Sequence, residues 1–233
     1  MTGVVPNIAK SVESNADATE FTFHLRRGMK WSDGDPMDAD DLEFNYNLLM
    51  NTDFHQSPPG QYIVAGKAMQ FKKIDQYTVK YSFAASYGDF LLRLATPISQ
   101  HPILYPGHYC KQFMPEFNPN LDKLLEESKL GDWPTLFRSR CGDIEIPARW
   151  GNPDKPTLDP WVITEPYNGS ATRVVQERNP YFWQVDTAGN QLPYVDRIVW
   201  SVAQDTESLI LDVINGQVDM QSRHLDSLQN RPL

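Results

Sequence analysis

The sequence predicts a mixed α/β (α+β) fold, and three observations predict it. Runs such as Phe21-Thr-Phe-His-Leu25 alternate apolar and polar side chains, the period-2 pattern of a half-buried strand. Between such runs lie stretches with apolar residues at helical spacing that begin at good capping residues, as at Asp38 and Asp205. Hydrophobic residues make up 40% of the 233, with a mean hydropathy of −0.50. That suffices for a packed core and falls short of a membrane bundle.

The elements follow in order. Arg26-Arg-Gly28 ends the first strand, and what precedes Phe21 reads as a connection. Trp31-Ser-Asp-Gly34 is a turn, because Asp33 can bond its own downstream backbone and Gly34 tolerates positive φ. Asp38 then opens a helix near 39–51, with Asp40 and Asp41 in the first turn where the helix dipole favours negative charge. Leu42, Tyr46 and Leu49 mark its apolar spacing. Residues 52–68 read as a Pro/Gly-punctuated loop. Met69–Ile74 and Thr78–Phe83 alternate on either side of Asp75-Gln-Tyr77, which predicts a β-hairpin.

A short helix is expected over Tyr87–Ala95, an irregular Pro-rich stretch over 96–119, and helical patches at Leu121–Lys129 and Trp133–Arg140. From Cys141 to Asn168 the chain is again Pro- and Gly-rich, with Trp150 and Trp161 embedded. Strands are expected at Arg173–Glu177 and Asp196–Val202, joined through Asn179-Pro-Tyr-Phe-Trp183 and a long turn over 185–195. Asp205 caps a helix carrying Leu209, Ile210, Val213 and Ile214, and Gly216 ends it. Val218-Asp-Met220 is expected to start one more strand.

Composition excludes several functions. A net charge of −9 and a pI near 5.0 argue against nucleic acid as a partner, since that affinity comes mostly from Lys and Arg neutralising phosphates. No run approaches the roughly 20 apolar residues that span a bilayer. With 6 Trp, 10 Tyr and 11 Phe the chain is too rich in large apolar groups to be a solvated coil. Its 18 prolines, about 8% against a usual ~5%, predict many fixed turns. Met1-Thr-Gly-Val-Val-Pro-Asn7 lacks the basic and apolar regions of a secretory signal, and both ends, the second at Gln229–Leu233, look cut from something longer.

Cys110 and Cys141 are too few for a disulfide-stapled miniature. In an oxidising compartment they can pair, closing a loop of about 30 residues worth roughly 3–4 kcal/mol in the chain-entropy model. In a reducing compartment they are two thiols.

Metal and catalytic grammars are missing. His101, His108 and Cys110 lie close together but fit no common zinc spacing. Asp33, Asp35, Asp38, Asp40 and Asp41 alternate only partly and Pro36 interrupts them, so a turn and a helix cap explain them better than calcium. The Asp186–Asp196 stretch is discounted in the same way. There is no G-x-S-x-G, P-loop or H-E-x-x-H. No cofactor, metal or catalytic residue is therefore assigned, and the protein is not read as an enzyme. Asn168-Gly-Ser170 matches the glycosylation sequon, a weak three-residue pattern.

The tryptophans point to binding. Trp31, Trp150, Trp161, Trp183 and Trp200 can wall a cleft for peptide side chains or sugar faces. Core packing is the commoner role of any single Trp, and Trp183 and Trp200 are assigned to it. Trp161, in a loop entering a strand, is the better cleft candidate. With Asp159 and Tyr167 from the same stretch it forms the predicted ligand-binding set.

Two stretches together resemble one family. Phe21-Thr-Phe-His-Leu-Arg-Arg-Gly-Met-Lys-Trp-Ser-Asp-Gly-Asp-Pro-Met-Asp-Ala-Asp-Asp-Leu-Glu-Phe44 resembles the signature of the family 5 extracellular solute-binding proteins, the peptide-, nickel- and oligosaccharide-binding receptors of ABC importers. Glu177-Arg-Asn-Pro-Tyr-Phe-Trp183, Asp186-Thr-Ala-Gly-Asn-Gln-Leu-Pro-Tyr-Val-Asp-Arg-Ile198 and a helix ending in Asn215-Gly-Gln-Val-Asp-Met220 follow in the family's order and spacing. Pro6-Asn-Ile-Ala9 resembles its short element before the first strand. Thr157-Leu-Asp-Pro-Trp161 stands where members often have a Gly-Thr-Gly-Pro-aromatic run, with Leu158 and Asp159 in place of its glycines.

The resemblance implies most of one lobe of a bilobal periplasmic-binding-protein-like fold (type II, large cluster), with the second lobe absent. Residues 1–20 and 160–233 would belong to the main mixed-sheet subdomain and residues 21–159 to an inserted α/β subdomain. It implies capture of a small-molecule ligand, a peptide or oligosaccharide, and delivery to ABC permease subunits. It also implies a periplasmic or extracellular location, as a cell-surface lipoprotein held at the membrane by a lipid anchor or the permease. The rivals are a secreted carbohydrate-active enzyme and a sensory receptor with the same fold.

Overall fold

The computed structural model describes residues 3–96, 101–142 and 148–221. The two extreme ends, and with them Gln229–Leu233, lie outside the described residues. A four-stranded antiparallel sheet of order β1-β2-β6-β5 is built from β1 (Ala9–Ser14), β2 (Glu20–Leu25), β5 (Gln70–Asp75) and β6 (Thr78–Ser82). The hairpin β5–β6 turns at Asp75, whose carboxylate accepts the Tyr77 N–H at 2.8 Å. Phe21 pairs with Tyr81 and Phe23 with Val79 across β2 and β6, so period-2 alternation sends one face of the sheet into the core.

That face packs on α1 (Ala39–Met50). Asp38 is its N-cap and forms a capping box with Asp41, as its position ahead of the apolar spacing predicts. The helix is buried on two neighbouring faces. Ala39, Leu42 and Leu49 join the sheet's core with Phe21, Val79 and Tyr81. Phe44 and Leu48 join a second core with Phe54, Tyr105, Phe113, Leu121 and Phe137. The second core is covered by α3 (Gly107–Cys110), α4 (Leu121–Ser128) and α5 (Trp133–Cys141), and the Cys110–Cys141 disulfide ties α3 to α5 with Cα atoms 6.0 Å apart. The oxidised alternative for the two cysteines is the one that the structure adopts.

The remaining elements are the small hairpin β3 (Ile63–Val64) and β4 (Lys67–Ala68), the short helices α2 (Phe90–Leu94) and α6 (Ala148–Gly151), and a second antiparallel sheet. That sheet has the order β7-β8-β9, from β7 (Trp161–Glu165), β8 (Arg173–Arg178) and β9 (Arg197–Ser201), and is followed by α7 (Thr206–Ile214). Asp205 caps α7 as expected, its side chain accepting from Ser208 N, and Gly216 follows with φ 67°.

Four expectations need correction. Residues 9–14 form β1 instead of a connection. No β1 side chain is fully buried, so the strand is held by backbone pairing with β2 and lacks the alternation that would announce it. That pairing also crosses the boundary expected after residue 20. Val218–Met220 is not a strand, since it has no pairing partner among the described residues and Met220 is 83% exposed. Trp161, expected in a loop within the Pro- and Gly-rich stretch 141–168, instead starts β7, which pairs along β8. The 52–68 loop holds the β3–β4 hairpin.

The acidic cluster is used up inside the fold. Asp33 accepts the Asp35 N–H at 3.2 Å, Gly34 has φ 94°, and a side chain at Gly34 would meet the Tyr181 ring at 3.2 Å. His108 Nε2 lies 2.8 Å from Asp33 and its Nδ1 3.3 Å from Asp35. Asp40 pairs with Lys73. Among the described residues no group of three or more His, Cys, Asp or Glu is arranged to hold a metal ion.

The cap is testable by itself. Asp38→Ala is expected to lower unfolding free energy by about 1 kcal/mol, read as a reduced denaturant midpoint at constant m-value. An unchanged midpoint would count against the cap.

Candidate functional site

A cavity of ≈ 940 Å³ opens between the two sheets. One wall comes from the segment ahead of β1 and from β2, through Asn7, Ile8, Phe23 and Leu25. The opposite wall is one face of the second sheet. Ile163 pairs with Gln176, and Gln176 with Ile198, so Trp161, Ile163, Gln176 and Trp200 share that face by period 2. All four line the cavity. The segment 157–160 and residues 182–184 close its side, and α6 contributes Trp150.

The wall is fixed by hydrogen bonds. The Trp161 indole N–H donates to the Val195 carbonyl at 2.8 Å, and the Trp200 indole N–H to Gln176 Oε1 at 2.7 Å. Trp150 meets Trp200 edge to face, ring centroids 5.7 Å apart. Ser32 N–H donates to Thr157 O at 3.0 Å, and Thr157 N–H returns a bond to Ser32 Oγ at 3.0 Å, tying the signature turn to the cavity segment. Fully buried Asn179 donates its side-chain amide to Asp159 O at 2.9 Å, and its backbone N–H reaches Pro160 O at 2.9 Å. Both loops are therefore bonded to rigid neighbours.

The loop that carries Val195 is knotted by Asp186. Its carboxylate accepts from the Tyr194 hydroxyl at 2.5 Å, from the Asn190 side chain at 2.9 Å, and from the backbone N–H groups of Asn190 and Ala188 at 2.8 Å each. The Tyr194 hydroxyl first, and the Asn190 and Ala188 donors with it, hold the Asp186 carboxyl well below the usual carboxylate range. In-chain donors thus occupy the oxygens that a calcium ion would need.

Of the three predicted residues, Trp161 and Asp159 are brought together on the cavity wall. Tyr167 lies outside the lining; its backbone N–H donates to Trp150 O at 2.8 Å, so it holds the base of a lining residue. Trp183 packs against the first core beneath Arg26, as assigned, yet also lines the cavity. Trp31 is buried at the floor. Trp200 is misplaced by the assignment to packing, since it is 46% exposed on the cavity face. The signal was its alternation with Ile198, which fixes the face but not what the face looks onto.

The family model for bacterial extracellular solute-binding proteins, family 5 Middle, matches residues 3–231. The chain belongs to this family. It is 32% identical over 213 residues to a periplasmic alpha-galactoside-binding protein of Rhizobium meliloti, covering 85% of this chain and 26% of that protein. Among solved structures it is similar to an oligopeptide-binding protein OppA, at TM-score 0.82 and 36% identity over 93% of this chain and 32% of the other. It is also similar to the periplasmic binding protein MelB of Agrobacterium fabrum in complex with stachyose, at TM-score 0.65 and 27% identity over 91% and 28%. The chain thus spans about a quarter to a third of the length of these relatives.

The Asp186 knot predicts an acid limb. A carboxyl whose folded pKa lies below the ordinary 3.8 contributes stability that is complete above that value and is lost as pH falls through the folded pKa. Between about pH 4 and about pH 2 the parent should lose more stability than Asp186→Asn, measured by denaturant midpoints. Equal losses would contradict the knot.

Proposed function

We propose, from the family to which the chain belongs, that the protein is the substrate-binding component of an ABC importer. It captures a peptide or an oligosaccharide outside the cytoplasm and presents it to permease subunits. The observation that carries the reading is the aromatic-walled cavity between the two sheets, set within a family match that runs over residues 3–231. Relatives named for alpha-galactoside and oligopeptide binding support both ligand classes.

In this reading Trp161 and Asp159 contact the ligand, and Tyr167 supports the wall through Trp150. Residues 1–20 and 160–233 form part of the main subdomain of one lobe and residues 21–159 the inserted one, with β1 reaching across the join to β2. A second lobe closes over the ligand; a closed form gains only from contacts that the ligand makes with both sides. The location is periplasmic or extracellular, with a lipid anchor or the permease supplying membrane attachment. No helix among the described residues is long and apolar enough to cross a membrane. The chemistry is binding without turnover.

The test is a thermal-shift screen of the full gene product against peptides and oligosaccharides, with each ligand recovered and analysed afterwards. A binding protein shows a Tm rise that grows with ligand concentration by mass action, about 2.7 kcal/mol of stabilisation at a hundredfold excess over Kd, and returns the ligand intact. Cleaved ligand would contradict the reading.

A further inference from the structure

Resting on that reading, we infer that the cavity takes an oligosaccharide, its ring faces stacked on Trp161 and Trp200. The first reason is what these indoles present. Both N–H groups are already donated within the protein, to Val195 O and Gln176 Oε1. The rings are therefore held in place and offer the cavity only carbon and π surface. The C–H groups of a pyranose gather on the faces of the ring and carry partial positive charge, which suits the negative face of an aromatic ring. Trp150 stands edge to face against Trp200 and makes the platform a corner, which limits how a ring can slide.

The second reason is the polar set. Trp200 fixes Gln176 with its oxygen as acceptor, so the Gln176 amide N–H groups are left to donate. Gln184 donates its amide to Asn7 Oδ1 at 3.0 Å, so this bonded pair still has the Gln184 oxygen as an acceptor and the Asn7 amide nitrogen as a donor. Both residues line the cavity. An acceptor and a donor match a hydroxyl, which is donor and acceptor at once. Neutral amides of this kind suit a ligand dense in hydroxyls and without charge.

The third reason concerns peptides. Peptide recognition draws on the open edge of a sheet or on charged groups that meet the termini. The β7–β9 sheet turns the face that carries Trp161, Ile163, Gln176 and Trp200 to the cavity, and its edge strand β7 also meets the cavity at Val162, so the argument against a peptide rests on charge. Among the described lining residues the acidic and basic ones are Lys155 and Asp159, and the Lys155 ammonium lies 5.8 Å from the centre of the Tyr105 ring. The volume, ≈ 940 Å³, is near the upper end of the ~300–1,000 Å³ of small-molecule sites and suits several linked rings.

The experiment is isothermal titration calorimetry on the full gene product with raffinose, maltotetraose, tetraalanine and trilysine. At least one saccharide should bind saturably. Trp161→Ala and Trp200→Ala should each weaken it tenfold or more, Trp200→Phe should retain most of the affinity, and Trp133→Phe, in the second core, should bind as the parent does. Trp200 is half exposed, so Trp200→Ala should keep the parent's circular dichroism and melting profile. Peptide binding without saccharide binding would overturn this inference and leave the importer reading standing. Saccharide binding indifferent to both Trp→Ala changes would overturn the platform. Binding of neither class would overturn both.

Discussion

The fold depends on one buried carboxylate. Asp41 sits on α1 with 7% of its surface exposed. Its oxygens accept from the Trp31 indole at 3.2 Å, the Asp38 backbone at 3.2 Å and the Gly107 backbone at 3.3 Å. Burial pushes its pKa upward against these donors. A carboxyl taken out of water is costly unless its lone pairs are filled, and here they are filled by the helix's own N-cap residue, by Trp31 ten residues earlier and by Gly107, 66 residues on. One turn on, buried Asn45 donates to the Asp41 and Tyr105 carbonyls at 2.8 Å each and accepts the Tyr105 N–H at 3.0 Å. The polar stripe of α1 therefore binds backbone, where an ordinary amphipathic helix would meet solvent.

The consequences run outward to the cavity. Asp41 sets Trp31, and Ser32 beside it exchanges hydrogen bonds with Thr157. Two residues on, Asp159 is held by Asn179, and Trp161 starts β7 with its ring tied to Val195. The hydrogen bonds along this path join residues 10, 125, 20 and 34 apart in sequence, with short stretches of chain between them. The two apolar cores on either side of α1 give this chain of contacts its stiffness, and the disulfide closes the side farther from the first sheet. Ligand sites gain from such support, because a wall that is ordered before binding does not have to be ordered by the ligand.

What was legible in the sequence follows from the same distinction. Asp38 and Asp205 were readable as caps because a cap and the N–H groups it satisfies lie within three residues. The β5–β6 hairpin was readable because its turn and both alternating strands are contiguous. β1 was not, because an edge strand needs only backbone partners and leaves no burial pattern. The cavity was half legible. Trp161 stood out through its place in a Pro-rich stretch, whereas the exposure of Trp200 depends on the register of three strands and on what faces the sheet. Asp41 looked like one more first-turn acid, since nothing near it in sequence announces that Trp31 and Gly107 converge on it.

The central claim is that this cavity, and its tryptophan wall in particular, is where the ligand sits. The most direct measurement is the indole N–H region of an NMR spectrum of the full gene product, uniformly ¹⁵N-labelled, with tryptophans assigned by single Trp→Phe changes and followed as a bound oligosaccharide is added. Signals of Trp161, Trp200 and Trp150 should shift together with one saturation curve, while that of Trp133, stacked on Phe54 in the second core, stays in place. Saturable binding that leaves Trp161 and Trp200 unmoved would place the ligand elsewhere and contradict the account.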